Sequence, residues 1–350
     1  MRKILSMTDP IINSYPNYGH IFSIIGVHTQ NHLPWVYNYF VQIWVPNNFD
    51  DGLRIDYATP NLLKTIPWLE SGRIDRGVAL EKWKNIIDFI RCYIDKEYYI
   101  YALFDVCQIS TYKSKEFWQH DPVLYGYDDE RQEVYFADNY VNGKYSVGIA
   151  TYDEIINATE ELMNRSDIVD WLSGFHYIKY KEIYDYGNYR FSNQYQYYFD
   201  RNLYVELLLD YLQQNNSLKR WCAPCTLVDK DDSNKWGIGI YSFIKDYLLF
   251  LRETGNKIDI RGFYVLAEHK NLIKKTVIFL YGEQWNEDNS LEKQLLDECI
   301  IESMKLCNLC LKYNITYEFK ILDRISNGIN KLKKFEEELI GFLIRIIGDC

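Results

Sequence analysis

A histidine and an aspartate bracket a short stretch that has the residue types of a proton-transfer site. The stretch runs from His120 to Asp138 and reads HDPVLYGYDDERQEVYFAD. Two β-rich runs, at 122–127 and 133–137, flank an acidic turn at 128–130. Because the outer ends of two hairpin strands meet, we expect His120 and Asp138 to lie side by side. The carboxylate would then hold the imidazole in one tautomer and stabilise the imidazolium that forms when the ring accepts a proton.

The segment before this hairpin adds two further candidate residues. The run 98–107 is rich in β-forming residues and is predicted to pair with the strand of His120, which would bring Cys107 near the imidazole. On the same run, Asp105 points to the opposite side from its neighbours. This aspartate would contact a substrate if that side faces a cleft, and otherwise it is an ordinary carboxylate at the edge of the sheet.

Helices are predicted from apolar residues at helical spacing and from capping signals. One begins at Asn31-His32-Leu33-Pro34, where proline is tolerated in the first turn, and another begins at the capping box of Thr151 and Glu154. The predicted helices cover about 31–43, 81–95, 151–165, 200–213, 236–253, 260–281, 290–313 and 321–347.

A change in character near residue 165 divides the chain into two predicted domains. Residues 1–165 combine helices with the strands of the hairpin region. Residues 166–350 are mainly helical, apart from two short strands expected in the tyrosine-rich patch at 176–199. The prediction is therefore an α+β fold, with an antiparallel sheet in the first domain and a helical second domain.

Composition excludes several classes of protein. The formal charge of −10 argues against nucleic-acid binding, which needs a basic face to neutralise phosphates. No run of about eighteen apolar residues predicts a membrane span, and no signal peptide is recognised. Eight cysteines without a secretion signal indicate reduced thiols, so we expect a soluble cytoplasmic protein. Neither a glycine-rich phosphate loop nor a dinucleotide fingerprint is present, and no cofactor is expected.

The stretch from His120 to Asp138 resembles papain-like thiol enzymes. The nearest likenesses are bacteriocin-processing cysteine peptidases, the acyltransferase of butirosin biosynthesis, and related proteins encoded beside nonribosomal-peptide and other thiotemplate pathways. The resemblance extends to PWVYNYFVQI at 34–43 and DIRGFYVLAEHK at 259–270. It implies a papain-like fold and transfer of an acyl group to an amine from a thioester. An acyl or peptidyl carrier protein would be the donor, and a small amine the acceptor.

One departure from the papain-like pattern leaves the mechanism open. That pattern places a cysteine at the start of the first central helix, where the helix dipole lowers the thiol pKa. Here the corresponding start of the helix, at residues 31–34, contains no cysteine, and the first cysteine in the chain is Cys92. Three hypotheses remain: Cys107 replaces the nucleophile, the amine attacks the thioester directly with His120 as base, or the fold is a non-catalytic binding protein for a carrier domain or a hydrophobic product.

The predicted cleft would lie between the helix that starts near His32 and the hairpin. His32 and Trp35 are therefore expected to contact the substrate. His20 and His28 are also close in sequence, but their spacing does not define a metal site, and surface or capping roles are the expectation.

Two further groups of residues have alternative interpretations. Cys222 and Cys225 are interpreted as part of a loop and Cys307 as core, with a tetrahedral zinc site of Cys222, Cys225, Cys307 and Cys310 as the alternative. No metal is expected. An acidic carrier protein would need a local basic face, and two lysine clusters are predicted to supply it, at residues 270, 274 and 275 and at residues 331, 333 and 334.

Overall fold

The computed structural model describes residues 1–49, 52–83, 85–181, 197–221, 233–286 and 290–348. The chain forms two compact units. The first contains Met1–His32 and Leu62–Gln196, and the second contains Leu33–Asn61 and Tyr197–Cys350. Both units are discontinuous in sequence, so this division differs from the predicted boundary at residue 165.

The described residues form the following regular elements. The helices are α1 (Pro16–His28), α2 (Leu33–Tyr39), α3 (Leu62–Thr65), α4 (Arg76–Lys82), α5 (Ile86–Ile94), α6 (Tyr152–Met163), α7 (Arg201–Gln213), α8 (Ile240–Thr254), α9 (Arg261–Tyr281), α10 (Leu291–Thr316) and α11 (Phe319–Gly348). The strands are β1 (Arg2–Ile4), β2 (Ile43–Val45), β3 (Asp56–Tyr57), β4 (Leu69–Ile74), β5 (Tyr99–Tyr101), β6 (Phe104–Asp105), β7 (Gln119–His120), β8 (Val123–Asp128), β9 (Glu133–Val141), β10 (Lys144–Thr151), β11 (Phe175–Tyr180) and β12 (Lys235–Trp236).

An antiparallel sheet organises the first unit. Its strand order is β10-β9-β8-β5-β11-β4, and β1 also pairs with β8. The hairpin of β8 and β9 is the one predicted from sequence, with Val123 opposite Ala137. Because β11 bonds to both β4 and β5, residues 175–180 belong to this sheet rather than to the helical half of the chain.

A hydrophobic core lies between this sheet and helices α5 and α6. On β9, the alternate residues Val134 and Phe136 are fully buried in that core. Side chains alternate between the two faces of a strand, so Asp138 follows them on the same face. Helix α6 begins at the predicted capping box, in which the Thr151 hydroxyl accepts from the amide of Glu154.

The N-terminal helices differ from the prediction. The apolar run 21–25 lies inside α1, a helix that we did not predict, which begins with Pro16 in its first turn. The helix expected over 31–43 is only the short α2. It ends at Tyr39, and Ile43 begins β2, whose backbone groups pair with β3 and β12.

The second unit combines a small sheet, ordered β12-β2-β3, with helices α2 and α7 to α11. Helices α7 to α11 follow the predicted segments to within a few residues. Of the two strands expected in the tyrosine-rich patch, β11 is one, and residues 182–196 lie outside the described part of the chain. Among the described residues, no helix has both the length and the apolar character needed to cross a membrane.

Candidate functional site

His120 and Asp138 form a hydrogen-bonded pair beside the first sheet. Strand β7 pairs with β6 and holds His120 opposite Phe104, while Asp138 lies on β9 directly after the partner of Val123. The imidazole Nδ1 lies 2.5 Å from the carboxylate Oδ2 of Asp138. The two side chains are therefore in direct contact, although His120 lies on the separate two-residue strand β7 and not on the hairpin strand β8.

The carboxylate of Asp138 is fully buried and accepts three hydrogen bonds. Besides the His120 imidazole, the Tyr112 hydroxyl donates to Oδ2 at 2.5 Å, and the backbone amide of Asn139 donates to Oδ1 at 2.6 Å. A buried charge is tolerated when its acceptor sites are satisfied in this way. These donors also hold the carboxylate in one orientation toward the imidazole.

Tyr112 is a member of this site that the sequence analysis missed. It ends a short 3₁₀ turn, Ser110–Tyr112, and its ring stacks on Phe136 with the ring centres 5.3 Å apart. This stacking fixes the direction of the hydroxyl group. With 32 tyrosines in the chain, no sequence pattern distinguishes this one.

The hydrogen bond to Asp138 determines which ring nitrogen of His120 can act as a base. When Nδ1 carries the proton that it donates to the carboxylate, Nε2 is the acceptor nitrogen of the neutral ring. The side chain of His120 is 18% exposed, so solvent reaches it even though Asp138 is enclosed. Trp118 contacts the imidazole edge to face, with the ring centres 4.9 Å apart.

Asp121 brings a second carboxylate to the same imidazole. Its Oδ1 lies 3.8 Å from Nδ1 of His120, and its Oδ2 accepts a hydrogen bond from Tyr101 at 2.7 Å. Burial, together with repulsion from Asp138, raises the pKa of Asp121 to about 6. The charge at this site therefore changes in the mildly acidic range.

His20, on helix α1, is a buried part of the same network and is not a surface or capping residue. Its Nε2 lies 2.8 Å from the backbone oxygen of Asp121, and because a carbonyl only accepts, Nε2 carries the proton. Nδ1 then accepts from the Tyr145 hydroxyl at 3.0 Å. Burial lowers the pKa of His20 to about 4, so the ring is neutral at neutral pH.

Gly19 explains how Tyr145 reaches this histidine. A Cβ atom at position 19 would lie 2.5 Å from the Tyr145 ring, far inside van der Waals contact. Glycine is unfavourable within a helix, and here it permits the close approach of ring and helix. The histidine–tyrosine contact therefore depends on a residue without a side chain.

Three groups of this site could in principle bind a metal ion. Among the described residues, ligand atoms of His120, Asp121 and Asp138 lie within 4.8 Å of one another. One imidazole and two carboxylates suit several divalent cations. However, the Asp138 oxygen that faces the imidazole accepts hydrogen bonds from both His120 and Tyr112, so a cation would have to displace donors already in place.

Cys107 has the environment of an unreactive thiol. It lies in the 3₁₀ turn Val106–Gln108, and its Sγ donates to Oδ2 of Asp105 at 3.1 Å. Burial and the neighbouring Asp105 carboxylate raise the pKa of Cys107 to about 11. A thiol with this pKa is almost entirely protonated at neutral pH.

Asp105, the predicted substrate contact, organises this turn instead. Its Oδ1 accepts from the backbone amides of Cys107 and Trp118, at 3.2 and 3.3 Å. Oδ2 accepts from the Cys107 thiol and from the Gln108 amide. Both oxygens are thus engaged in local hydrogen bonds, and the carboxylate itself is buried.

The other two predicted substrate contacts lie in different surroundings. His32 is buried, and its Nδ1 donates to the backbone oxygen of Thr29 at 2.8 Å. Burial lowers the pKa of His32, whose ring stacks on Phe22. Trp35 belongs to the second unit, where it is buried against Tyr39. The described contacts of these two residues do not include the His120–Asp138 pair.

The structure describes two of the four predicted zinc ligands and both predicted lysine clusters. Cys307 and Cys310 are buried in helix α10, and the Cys307 thiol donates to the backbone oxygen of Phe263 at 3.3 Å, while residues 222 and 225 lie outside the described chain. The prediction that the first lysine cluster forms a docking face is wrong, because Lys270 is fully buried and paired with Glu336. In the second cluster, each lysine has a glutamate partner within 4.0 Å.

No family model matches this chain, and no curated protein matches it either. The likeness to papain-like acyltransferases therefore rests on the sequence motifs alone.

Proposed function

We propose that the protein transfers an acyl group from a thioester to an amine, with His120 as the general base. The observation that carries this proposal is the His120–Asp138 hydrogen bond. In it, a buried carboxylate that accepts three hydrogen bonds orients a partly exposed imidazole. In a papain-like enzyme the same pair would activate a thiol nucleophile by accepting its proton. Here the raised pKa of Cys107 favours direct attack by the amine over a covalent intermediate.

The proposed reaction needs little more than a base and a bound donor. A thioester is an activated acyl donor, so a neutral amine can attack the carbonyl carbon and pass a proton to Nε2 of His120 as the C–N bond forms. The tetrahedral adduct then expels the thiolate, which takes up the proton from the imidazolium. The negatively charged Asp138 stabilises the imidazolium between these two steps. Carrier proteins of thiotemplate pathways are the thioester donors that the sequence resemblance suggests.

The test is an acyl-transfer assay with acyl-pantetheine thioesters and a panel of primary amines, followed by mass spectrometry of the products. The His120→Ala variant is expected to lose about 10²–10⁴-fold in rate, as is typical when a general base is removed. His28→Ala is the matched control, since His28 is an exposed imidazole of the same unit that stacks on Tyr180.

The alternative is a non-catalytic protein that binds a carrier domain or a hydrophobic product. The observation that favours it is that two aromatic side chains, Tyr112 and Trp118, contact the imidazole. A binding protein would give no amide product with any thioester, and His120→Ala would change only the affinity for the carrier. That outcome would reject the proposed reaction.

A further inference from the structure

A basic groove runs between helices α10 and α11, on a chain whose formal charge is −10. It is an open depression with a volume of about 590 Å³. The groove is lined by four cationic side chains, two amides and one carboxylate over an apolar floor. The cations are Lys305, Lys312, Arg324 and Lys331, the amides are Asn308 and Asn327, the carboxylate is Glu302, and the floor is Leu309 and Gly328. These residues belong to the second unit, and the site described above does not use them.

The two helices present the same spacing to the groove. Apart from Glu302, the lining residues on α10 are 305, 308, 309 and 312, and on α11 they are 324, 327, 328 and 331. Each set follows the pattern i, i+3, i+4, i+7, so each helix gives two cations separated by two turns, with an asparagine between them. Seven residues of helix span about 10.5 Å. This is the distance between two levels of the groove, one formed by Lys305 and Lys331 and the other by Lys312 and Arg324.

Gly328 explains how α10 and α11 pack closely beneath the groove. It is buried in the middle of α11, where glycine costs about 1 kcal/mol relative to alanine. A Cβ atom there would lie 2.9 Å from a methyl carbon of Leu306 and 3.0 Å from Oε1 of Glu302. The two helices therefore pack closely at this point, and the long cationic side chains form raised edges on either side.

The charge is least compensated at one end of the groove. Lys331 and Lys305 each contact Glu302, at 3.2 and 3.5 Å, which offsets one level of cations. At the other level, Lys312 and Arg324 form no ion pair with any described residue. Lys312 does help to lower the pKa of Glu318, but that carboxylate is held mainly by its hydrogen bond from Lys320.

We infer that this groove is a docking surface for an acidic helix of a partner protein. The lining cations are all exposed, so the surface suits a macromolecule better than an enclosed small molecule. A helix lying between the raised edges could place an apolar side chain over Leu309. Its carboxylates, seven residues apart, would then meet the two cationic levels, and the asparagine amides could donate to its side chains. This inference does not depend on acyl transfer at His120.

The test uses the full chain and a synthetic four-turn helix that has a leucine stripe and glutamates seven residues apart on both edges. Binding is measured by fluorescence anisotropy at low and moderate salt. Charge reversal in Lys312→Glu/Arg324→Glu is expected to weaken binding about tenfold or more, and salt should weaken binding to the unmodified chain. Circular dichroism checks folding, and the milder Lys312→Ala/Arg324→Ala variant should give a smaller loss.

The matched control is Lys333→Glu/Lys334→Glu, since these lysines lie on α11 outside the groove and pair with glutamates one turn away. Unchanged affinity in this variant supports the groove as the docking surface, and an equal loss would show that only net charge matters. Binding of the glutamine version of the helix with equal affinity would overturn the inference. So would inorganic pyrophosphate that binds the groove and displaces the helix, because the surface would then be a phosphate site.

Discussion

Two polar clusters in this protein use the same kinds of residue in opposite surroundings. In the first unit, His120 is 18% exposed and donates to the buried Asp138. In the second unit, His269 is 1% exposed, and Lys270 and Glu336 beside it are not exposed at all. One cluster includes a partly exposed imidazole, and the other encloses all of its charges.

The enclosed cluster satisfies its groups internally. His269 donates from Nε2 to the backbone oxygen of Val41 at 2.7 Å, while its Nδ1 accepts from Lys270 at 2.9 Å. Lys270 also pairs with Glu336, which accepts from the Tyr241 hydroxyl as well. Burial and the neighbouring ammonium hold the pKa of His269 well below its usual value. Residue types alone therefore do not identify a reactive site, since access and a nitrogen able to take a proton are also needed.

The largest expected effect tests the exposed cluster. Asp138→Asn places an amide NH₂ where the carboxylate oxygen accepted from Nδ1, which favours the tautomer with the proton on Nε2. That ring cannot accept a proton from an amine, so we expect acyl transfer to fall about 10²–10⁴-fold, with the fold retained. Steady-state rates for Asp138→Asn, with circular dichroism as the folding check, measure this. A rate within a few fold of the unmodified protein would show that His120 needs no carboxylate.

The enclosed cluster should respond in stability and not in rate. Lys270→Met leaves Glu336 as an unpaired buried charge, which typically costs about 3–5 kcal/mol. The double variant Lys270→Met/Glu336→Leu removes both charges and should recover most of that loss. Urea unfolding gives the stability, and the rate per folded molecule should stay unchanged in both variants. A single variant as stable as the unmodified chain would contradict the ion-pair interpretation.

Two groups of the first cluster, Asp121 and His20, should change the stability of the protein in opposite directions with pH. The pKa of Asp121 is raised from 3.8 to about 6, so its contribution to stability is present below pH 4 and is lost as the pH rises through 6. Relative to Asp121→Asn, the unmodified chain should therefore lose about 3 kcal/mol between pH 3 and pH 7, since one pKa unit corresponds to about 1.4 kcal/mol. Urea unfolding across this range measures the difference.

His20→Gln is the matched comparison for that experiment. The pKa of His20 is lowered from 6.5 to about 4, so its contribution is present above pH 6.5 and is lost as the pH falls toward 4. Relative to His20→Gln, the unmodified chain should lose about 3 kcal/mol on acidification, the opposite direction to Asp121. Parallel pH dependence of the two variants would mean that these residues do not titrate as their burial requires.

The sequence predicted the local part of this site and missed the distant part. Asp138 lies on the second strand of the β8–β9 hairpin and His120 lies just before the first strand, so turn and strand signals bring them close together in space. His20 and Tyr145 are 125 positions apart, and no local pattern connects them. The helix α1 was missed because residues 18–25 are all buried, and a helix that is apolar on every side lacks the periodicity that marks an amphipathic one. In the second unit, α8 and α11 are clearly amphipathic, and α7 and α10 begin at the capping residues Asp200 and Ser290.

The smallest expected effect is at Cys107, and it decides between the two catalytic hypotheses. With a pKa of about 11, only about one thiol in ten thousand is ionised at neutral pH. The residue lies in a turn of only three residues, which has no substantial helix dipole of its own, and the neighbouring Asp105 carboxylate disfavours the thiolate further. We therefore expect Cys107→Ala to change the acyl-transfer rate by less than about twofold, and intact-mass spectra to show no acyl adduct at any time. Cys92→Ala is the matched control, because Cys92 is the other partly exposed thiol among the described residues. An adduct that disappears in Cys107→Ala but persists in Cys92→Ala would instead make Cys107 the nucleophile, with His120 and Asp138 serving it as they would in a papain-like enzyme.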